Sequence, residues 1–239
     1  AAQLGYDAVE LFLPGPDFVT TERVLELCEA HQLRVAAVGS GAGWLKHGLS
    51  LTDPSAATRK AALDFLLGMI EFGGRLKAPV ILGSMQGRGG TEVTRDQALV
   101  WLAEALRVTG EAAAAHGVPF LYEPLNRYET PLINRLADAV AFLRSHDLRN
   151  ILLLADLFHM NLEEADLAAA VLEAGPRIGH IHYADSNRRA MGFGHTDPGP
   201  ILDALRKSGY SGYLSAEILP LPDALTAARQ TLASIRPYL

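Results

Sequence analysis

The chain has 239 residues, 49% of them hydrophobic, a formal net charge of −6 and one cysteine. That apolar content supports one sizeable core, and an acidic balance without a basic cluster excludes nucleic acid and anionic membrane surfaces as natural partners. The lone Cys28 rules out an intrachain disulfide and fits a reducing compartment, so a cytoplasmic location is expected; no apolar run approaches the roughly 18 residues of a membrane span.

The opening "AAQLGYD" reads as the end of a helix with Gly5 at its C-cap. In a strand–helix alternation that helix follows a strand, so the first strand is expected before residue 1. "DAVELFL" (7–13) and "RVAAVGS" (34–40) then read as strands, with Cys28 on the helix between them as a core residue. Asp53-Pro54 reads as an N-cap followed by a first-turn proline. "APVILGS" (78–84) is the next strand, and "TRDQ" (94–97) resembles a capping box opening a helix that runs to Gly117. The remaining strands are "PFLYEP" (119–124), "ILLLAD" (151–156), "IGHIHYAD" (178–185) and "GYLSAEI" (212–218), with a helix from Pro200 to Gly209 before the last. Several of these strands are near-continuously apolar, as strands covered on both faces are.

Such repetition predicts βαβ units in one parallel sheet: an α/β chain forming a single TIM (β/α)8 barrel domain over residues 1–239, its first strand lying before this numbering. The alternative, an open doubly wound sheet, lacks the Gly-rich phosphate fingerprint after an early strand.

Active sites of such barrels sit at the carboxyl ends of the strands. Four ends carry ligand-type residues: Glu123, Asp156, His182 and Glu217. By alternation Glu123 shares an inward face with Leu121, Asp156 with Leu152 and Leu154, and His182 with His180 and Ile178. Three carboxylates aimed at one point repel one another unless a cation lies among them. Three carboxylates and an imidazole form a mostly oxygen donor set, which suits one divalent ion, Mn²⁺, Mg²⁺ or Co²⁺, better than a closed thiolate zinc site. His180, one layer deeper, reads as a hydrogen-bonded core histidine. Glu10 faces the interior either as support for the ligands or as a structural acid. His31, His47, His116 and His146 read as solvated, and Trp44 either walls the pocket or packs.

The segments "EPLNRYET", "DLFHMNLEE", "HIHYADSNRR", "GFGHTDPG" and "YLSAEILPLPD", with the spacings between them, resemble the D-tagatose 3-epimerase (ketose 3-epimerase) family of the xylose-isomerase-like barrels. The resemblance is densest from Tyr122 to Asp223. It implies Glu123, Asp156, His182 and Glu217 as ligands of one divalent ion, with Mn²⁺ preferred, and Glu129, His159 and Arg188 as substrate-binding residues. It also implies a homodimer or homotetramer acting on a small sugar. Two departures stand out: Leu157 in "DLFH", where the family often has threonine, and Met191 in "RRAMGFGH", where it often has proline. Both are expected beside the pocket.

The implied activity is epimerisation of a free ketose by deprotonation and reprotonation at C3 through a cis-enediolate, with Glu123 and Glu217 as the two bases on opposite faces. Related sugar-phosphate, inosose or hydroxypyruvate isomerases are the alternatives. A phosphate would need the "GSMQGRGG" loop with Arg88, and hydroxypyruvate isomerases resemble this chain less because they carry glutamine where His182 stands. Apurinic-site DNA endonucleases of the same superfamily need further histidines on the early strands, which are absent here.

Overall fold

The structure, a computed structural model, describes residues 1–90 and 92–238. Seven parallel strands follow one another in a sheet whose spatial order is the chain order. They are β1 (Ala8–Phe12), β2 (Arg34–Gly39), β3 (Val80–Leu82), β4 (Phe120–Tyr122), β5 (Ile151–Asp156), β6 (Ile178–His182) and β7 (Leu214–Ser215). The helices between them are α1 (Thr21–His31), α2 (Ala42–His47), α3 (Ala56–Arg75), α4 (Arg95–Ala115), α5 (Leu136–Ser145), α6 (Leu157–Glu163), α7 (Leu167–Ala174), α8 (Pro198–Lys207) and α9 (Ala224–Ile235). Before β1 lies a single 3₁₀ turn, Ala2–Leu4, which Gly5 ends in the left-handed region at φ 92°.

Curvature distinguishes a barrel from an open sheet. Glu10 on β1 and His182 on β6 approach to 3.1 Å. On a flat sheet five strand steps of roughly 4.8 Å would hold them ~24 Å apart. The seven strands therefore wrap into a nearly closed barrel, and no ladder joins β1 to β7 among the described residues. Across that gap the Tyr6 hydroxyl donates to the Ala228 carbonyl of α9 at 2.9 Å.

Strand alternation sorts the core into two parts. Val80, Leu82, Phe120, Tyr122, Leu153 and Ala155 face outward into the large cluster shared with the helices. Burying each leucine or phenylalanine there contributes roughly 1.5–3 kcal/mol. Ala37, Ile81, Leu121 and Leu154 face inward and form a small plug, with Leu152 packed against it. Ile178 departs from the expected alternation: it packs in the outer cluster, not on the inward face with His180 and His182. The β5–β6 register shifts between Leu153 and Leu154, and Gly179 is the extra residue. A side-chain carbon at Gly179 would press into Leu152 and Leu121, so glycine is what lets β6 bulge inward there.

Two helix starts also differ from expectation. Asp53 and Pro54 precede α3 as a turn, with Asp53 Oδ1 accepting from the Ser55 N–H, and Ser55 is the N-cap. α8 begins at Pro198, because Asp197 supplies the cap, so Pro200 is its third residue. Thr94 caps α4 as expected, its hydroxyl accepting from the Gln97 N–H. Cys28 is half-buried on α1, packed against the outer cluster. No helix among the described residues is long and apolar enough to cross a membrane.

A candidate metal centre at the carboxyl ends of the strands

The four strand-end residues come together. One donor atom from each of Glu123, Asp156, His182 and Glu217 lies within 4.8 Å of the others. Asp156 and His182 are the last residues of β5 and β6, Glu123 stands one beyond β4, and Glu217 two beyond β7. The Glu123 N–H still donates to the Leu82 carbonyl of β3, at 3.0 Å, before Pro124 ends the ladder. A side chain at Gly83 would overlap the Glu123 carboxylate, so that glycine opens the space the acid occupies.

His182 Nδ1 lies 3.6 Å from Glu123 Oε1, 3.5 Å from Asp156 Oδ2 and 3.5 Å from Glu217 Oε2. Of these atoms, His182 Nδ1, Glu123 Oε1 and Asp156 Oδ2 are buried without any hydrogen-bond partner. Leaving a buried polar atom unsatisfied costs about 1–3 kcal/mol. Three such atoms turned toward one point are what a cation site requires, and one divalent ion would satisfy all of them together with Glu217. The donor set thus fits the ion that the sequence implies.

The second contacts of the same groups fix their orientation. Asp156 Oδ1 accepts from the Phe158 N–H at 2.7 Å, capping α6 and turning Oδ2 inward. Arg188 Nη2 donates to Glu217 Oε2 at 2.6 Å. Burial works against ionised Glu217, but His182 and Arg188 outweigh it and pull its carboxyl down to about 2. For Glu123 burial wins over His182 and His159, and its carboxyl is pushed up. Burial opposes the charged form of His182, yet Glu10, Asp156 and Glu123 together raise it well above the usual imidazole range.

Of the three residues assigned to substrate by resemblance, all line the same cavity of about 380 Å³, along with Glu123, His182 and Glu217. His159 Nδ1 meets the Asn126 N–H at 3.3 Å and Asn126 Nδ2 at 2.7 Å, which leaves its proton on Nε2. That nitrogen faces Asp156 Oδ2 at 3.7 Å and Glu123 Oε1 at 3.8 Å. Glu129 Oε1 lies 3.7 Å from Arg188 Nη1, and the Arg188 guanidinium stands 5.0 Å over the Phe158 ring. Arg188 reaches this position from a left-handed backbone, φ 59°.

Trp44, Glu10 and Arg88 also line the cavity; Arg88 is exposed, and Arg189 is exposed outside the lining. Leu157 and Met191, expected beside the pocket, are instead fully buried in the outer cluster and do not line it. His180 is the hydrogen-bonded core histidine that the sequence suggested, bonded to Glu10 at 2.8 Å.

Three supporting residues were missed in the sequence. Asn126 holds His159. Gln86 is fully buried and ties the β3 and β4 ends together, donating to the Gly83 and Glu123 carbonyls and accepting from the Tyr122 hydroxyl. Asp185 accepts from the backbone N–H groups of Ser186, Gly192, Gly194 and Thr196, and so shapes the loop that carries Arg188. Their only sequence signal is position inside the quoted motifs.

A barrel with an acidic, imidazole-bearing centre at its strand ends defines the class. The profile of the xylose isomerase-like TIM barrel family matches residues 1–238, and the chain belongs to that family. Among its relatives are ketose 3-epimerases. It is 32% identical to the L-ribulose 3-epimerase of Mesorhizobium japonicum, over 90% of this chain and 72% of that one. It is 30% identical to the D-psicose 3-epimerase of Ruminiclostridium cellulolyticum, over 90% and 75%. A 3-dehydro-D-guloside 4-epimerase of Escherichia coli is 37% identical, but that match spans 56% of this chain and only 52% of the enzyme. Among solved structures, an L-ribulose 3-epimerase superposes with a TM-score of 0.86 at 29% identity, covering 98% of this chain and 84% of that one.

Proposed function

We propose that the chain is a metal-dependent ketose 3-epimerase acting on a free ketose, with Glu123, Asp156, His182 and Glu217 as ligands of one divalent ion. The observation that carries this reading is the convergence of three partnerless buried donor atoms and Glu217 on one point. The ketose 3-epimerase and 3-dehydro sugar 4-epimerase relatives share one chemistry, inversion at a carbon beside a carbonyl. The ion, Mn²⁺ in this reading with Mg²⁺ or Co²⁺ as substitutes, supplies positive charge that stabilises the cis-enediolate left when the C3 proton is lost.

The residues do the remainder. Glu123 and Glu217, from strands three apart, face the substrate from opposite sides; one takes the C3 proton and the other returns one to the opposite face. Arg188 holds Glu217 ionised and ready as a base. His159, with its proton on Nε2, donates to a substrate oxygen, and Glu129 accepts from a hydroxyl. Trp44 forms part of the cavity wall. The protein works in the cytoplasm as one barrel domain, assembled as a homodimer or homotetramer.

A panel of ketoses incubated in D₂O with Mn²⁺ tests the reading. Deuterium should enter C3 of at least one sugar as its epimer forms. No incorporation with any ketose, or full turnover in excess chelator, would refute it.

A further inference from the structure

The barrel interior holds a second polar group that the proposed chemistry does not use. Glu10 Oε2 lies 2.8 Å from His180 Nε2, and Glu10 Oε1 lies 3.1 Å from His182 Nε2. Both rings are buried and stand edge to face, their centroids 5.6 Å apart. We propose that Glu10 is a positioning residue for the metal centre: by accepting the Nε2 proton of His182 it leaves the Nδ1 lone pair facing Glu123, Asp156 and Glu217. This rests on the metal-centre reading above.

The tautomer of His182 decides which nitrogen can meet a cation. A histidine that holds a cation does so as the neutral imidazole, which carries one proton, on Nδ1 or on Nε2. If it sat on Nδ1, that nitrogen could not offer a lone pair to a cation. A carboxylate accepts and cannot donate, so an imidazole nitrogen at hydrogen-bond distance from Glu10 must carry the proton. Nδ1 is then left with its lone pair, and it is the nitrogen that is buried without a hydrogen-bond partner. Metal-bound histidines generally have their other nitrogen tied in this way, which fixes ring orientation and raises ligand basicity.

His180 completes the arrangement. Its Nε2 proton occupies the other Glu10 oxygen, so the carboxylate is held by two donors and cannot swing into the cavity. Glu10, His180 and His182 also lie close enough to hold an ion of their own. Two donor-to-carboxylate contacts already satisfy both nitrogens and both oxygens, so the geometry favours hydrogen bonds over a second metal.

The anchor comes from an unusual direction. Glu10 sits on β1, while the histidines sit on β6, and no ladder closes β1 to β7 among the described residues. The contact therefore sets the His182 ring from the opposite side of the gap.

The test uses calorimetric Mn²⁺ titration of wild type and Glu10→Gln, with thermal unfolding of both in chelator, and ¹⁵N-histidine NMR of the Mg²⁺-saturated wild type. Glutamine keeps the size of Glu10 but loses the charge and one acceptor. E10Q should fold and bind Mn²⁺ ~10–100-fold more weakly. The wild-type His182 signal should report a proton on Nε2, and E10Q should unfold in chelator within a few degrees of wild type, so that its loss lies in metal affinity and not in the fold. Wild type that binds Mn²⁺ while E10Q matches it overturns this inference alone. A His182 proton on Nδ1 in the Mg²⁺-saturated protein overturns this inference and, with it, His182 as a ligand, and that measurement stands even if E10Q does not fold. Wild type that binds no divalent ion overturns the metal-centre reading and this inference with it.

Discussion

The two sides of the site are built differently. On the β4–β6 side, Glu123, Asp156 and His182 stand on or beside paired strands and are 6%, 1% and 2% exposed. On the β7 side, Glu217 follows a strand of two residues and its side chain is 39% exposed; Arg188 and Glu129, its companions, are loop residues at 29% and 35%. The first side is buried, with three donor atoms that find no partner in the protein. The second is open and held by side-chain ion pairs. In the reading advanced here, one side grips the metal and the other meets substrate and exchanges protons.

The sharpest way to break that division is to remove a base while keeping the ligand. Glu217→Gln and Glu123→Gln should each lower turnover ~10²–10⁴-fold. Both should retain metal by elemental analysis, and each should fail mainly in one direction of solvent isotope exchange. A Glu217→Gln enzyme that epimerises at the wild-type rate with metal bound would remove the two-base scheme. Next in size, Asp156→Ala should weaken Mn²⁺ binding ~10-fold or more by calorimetry, because the ion loses one anionic ligand. Arg188→Ala should weaken metal binding less than Asp156→Ala does and raise KM about tenfold in steady-state assays, the scale of one charge-assisted hydrogen bond. Equal loss of metal in the Asp156 and Arg188 variants would erase the contrast between the sides.

The smallest effect on catalysis is expected from Asp185→Asn, which should lower stability by about 1–3 kcal/mol at neutral pH. Burial disfavours ionised Asp185, but the N–H groups of Thr196, Gly194, Ser186 and Gly192 outweigh it and hold the carboxyl below its usual range. A lowered native pKa means the stabilisation is present above the unfolded value of about 3.9 and fades as pH falls through the native one. Urea midpoints of wild type and variant should therefore stay separated down to about pH 4 and converge only below it.

The four strand-end donors were legible because each closes an apolar run, where a polar residue has few structural reasons to stand. Glu129, His159 and Arg188 lie in loops or on a short helix, and only family resemblance pointed to them. Asn126, Gln86 and Asp185 escaped notice because their partners are backbone groups and side chains that the fold, not the local pattern, brings near. Glu10 was seen to face inward, but its partners are 170 and 172 residues away in the chain. Ile178 was placed on the wrong face because a one-residue bulge reverses the two-residue period and leaves no compositional trace beyond Gly179. Leu157 and Met191 sit within pocket-bearing motifs yet point into the helix-facing core, so motif membership overstated their reach.

The inward plug of Ala37, Ile81, Leu121 and Leu154 lies directly beneath the donors. Under the proposed chemistry it would give the site a memory for hydrogen. In the proposed two-base scheme a proton captured by buried Glu123 would sit above an apolar floor, and it should return to carbon before bulk water replaces it. A proton captured by Glu217, whose side chain is 39% exposed, should instead exchange with solvent. The same sugar approached from its two epimers should accordingly keep its original hydrogen to different extents, and the side of the molecule that forgets is the side left open to water.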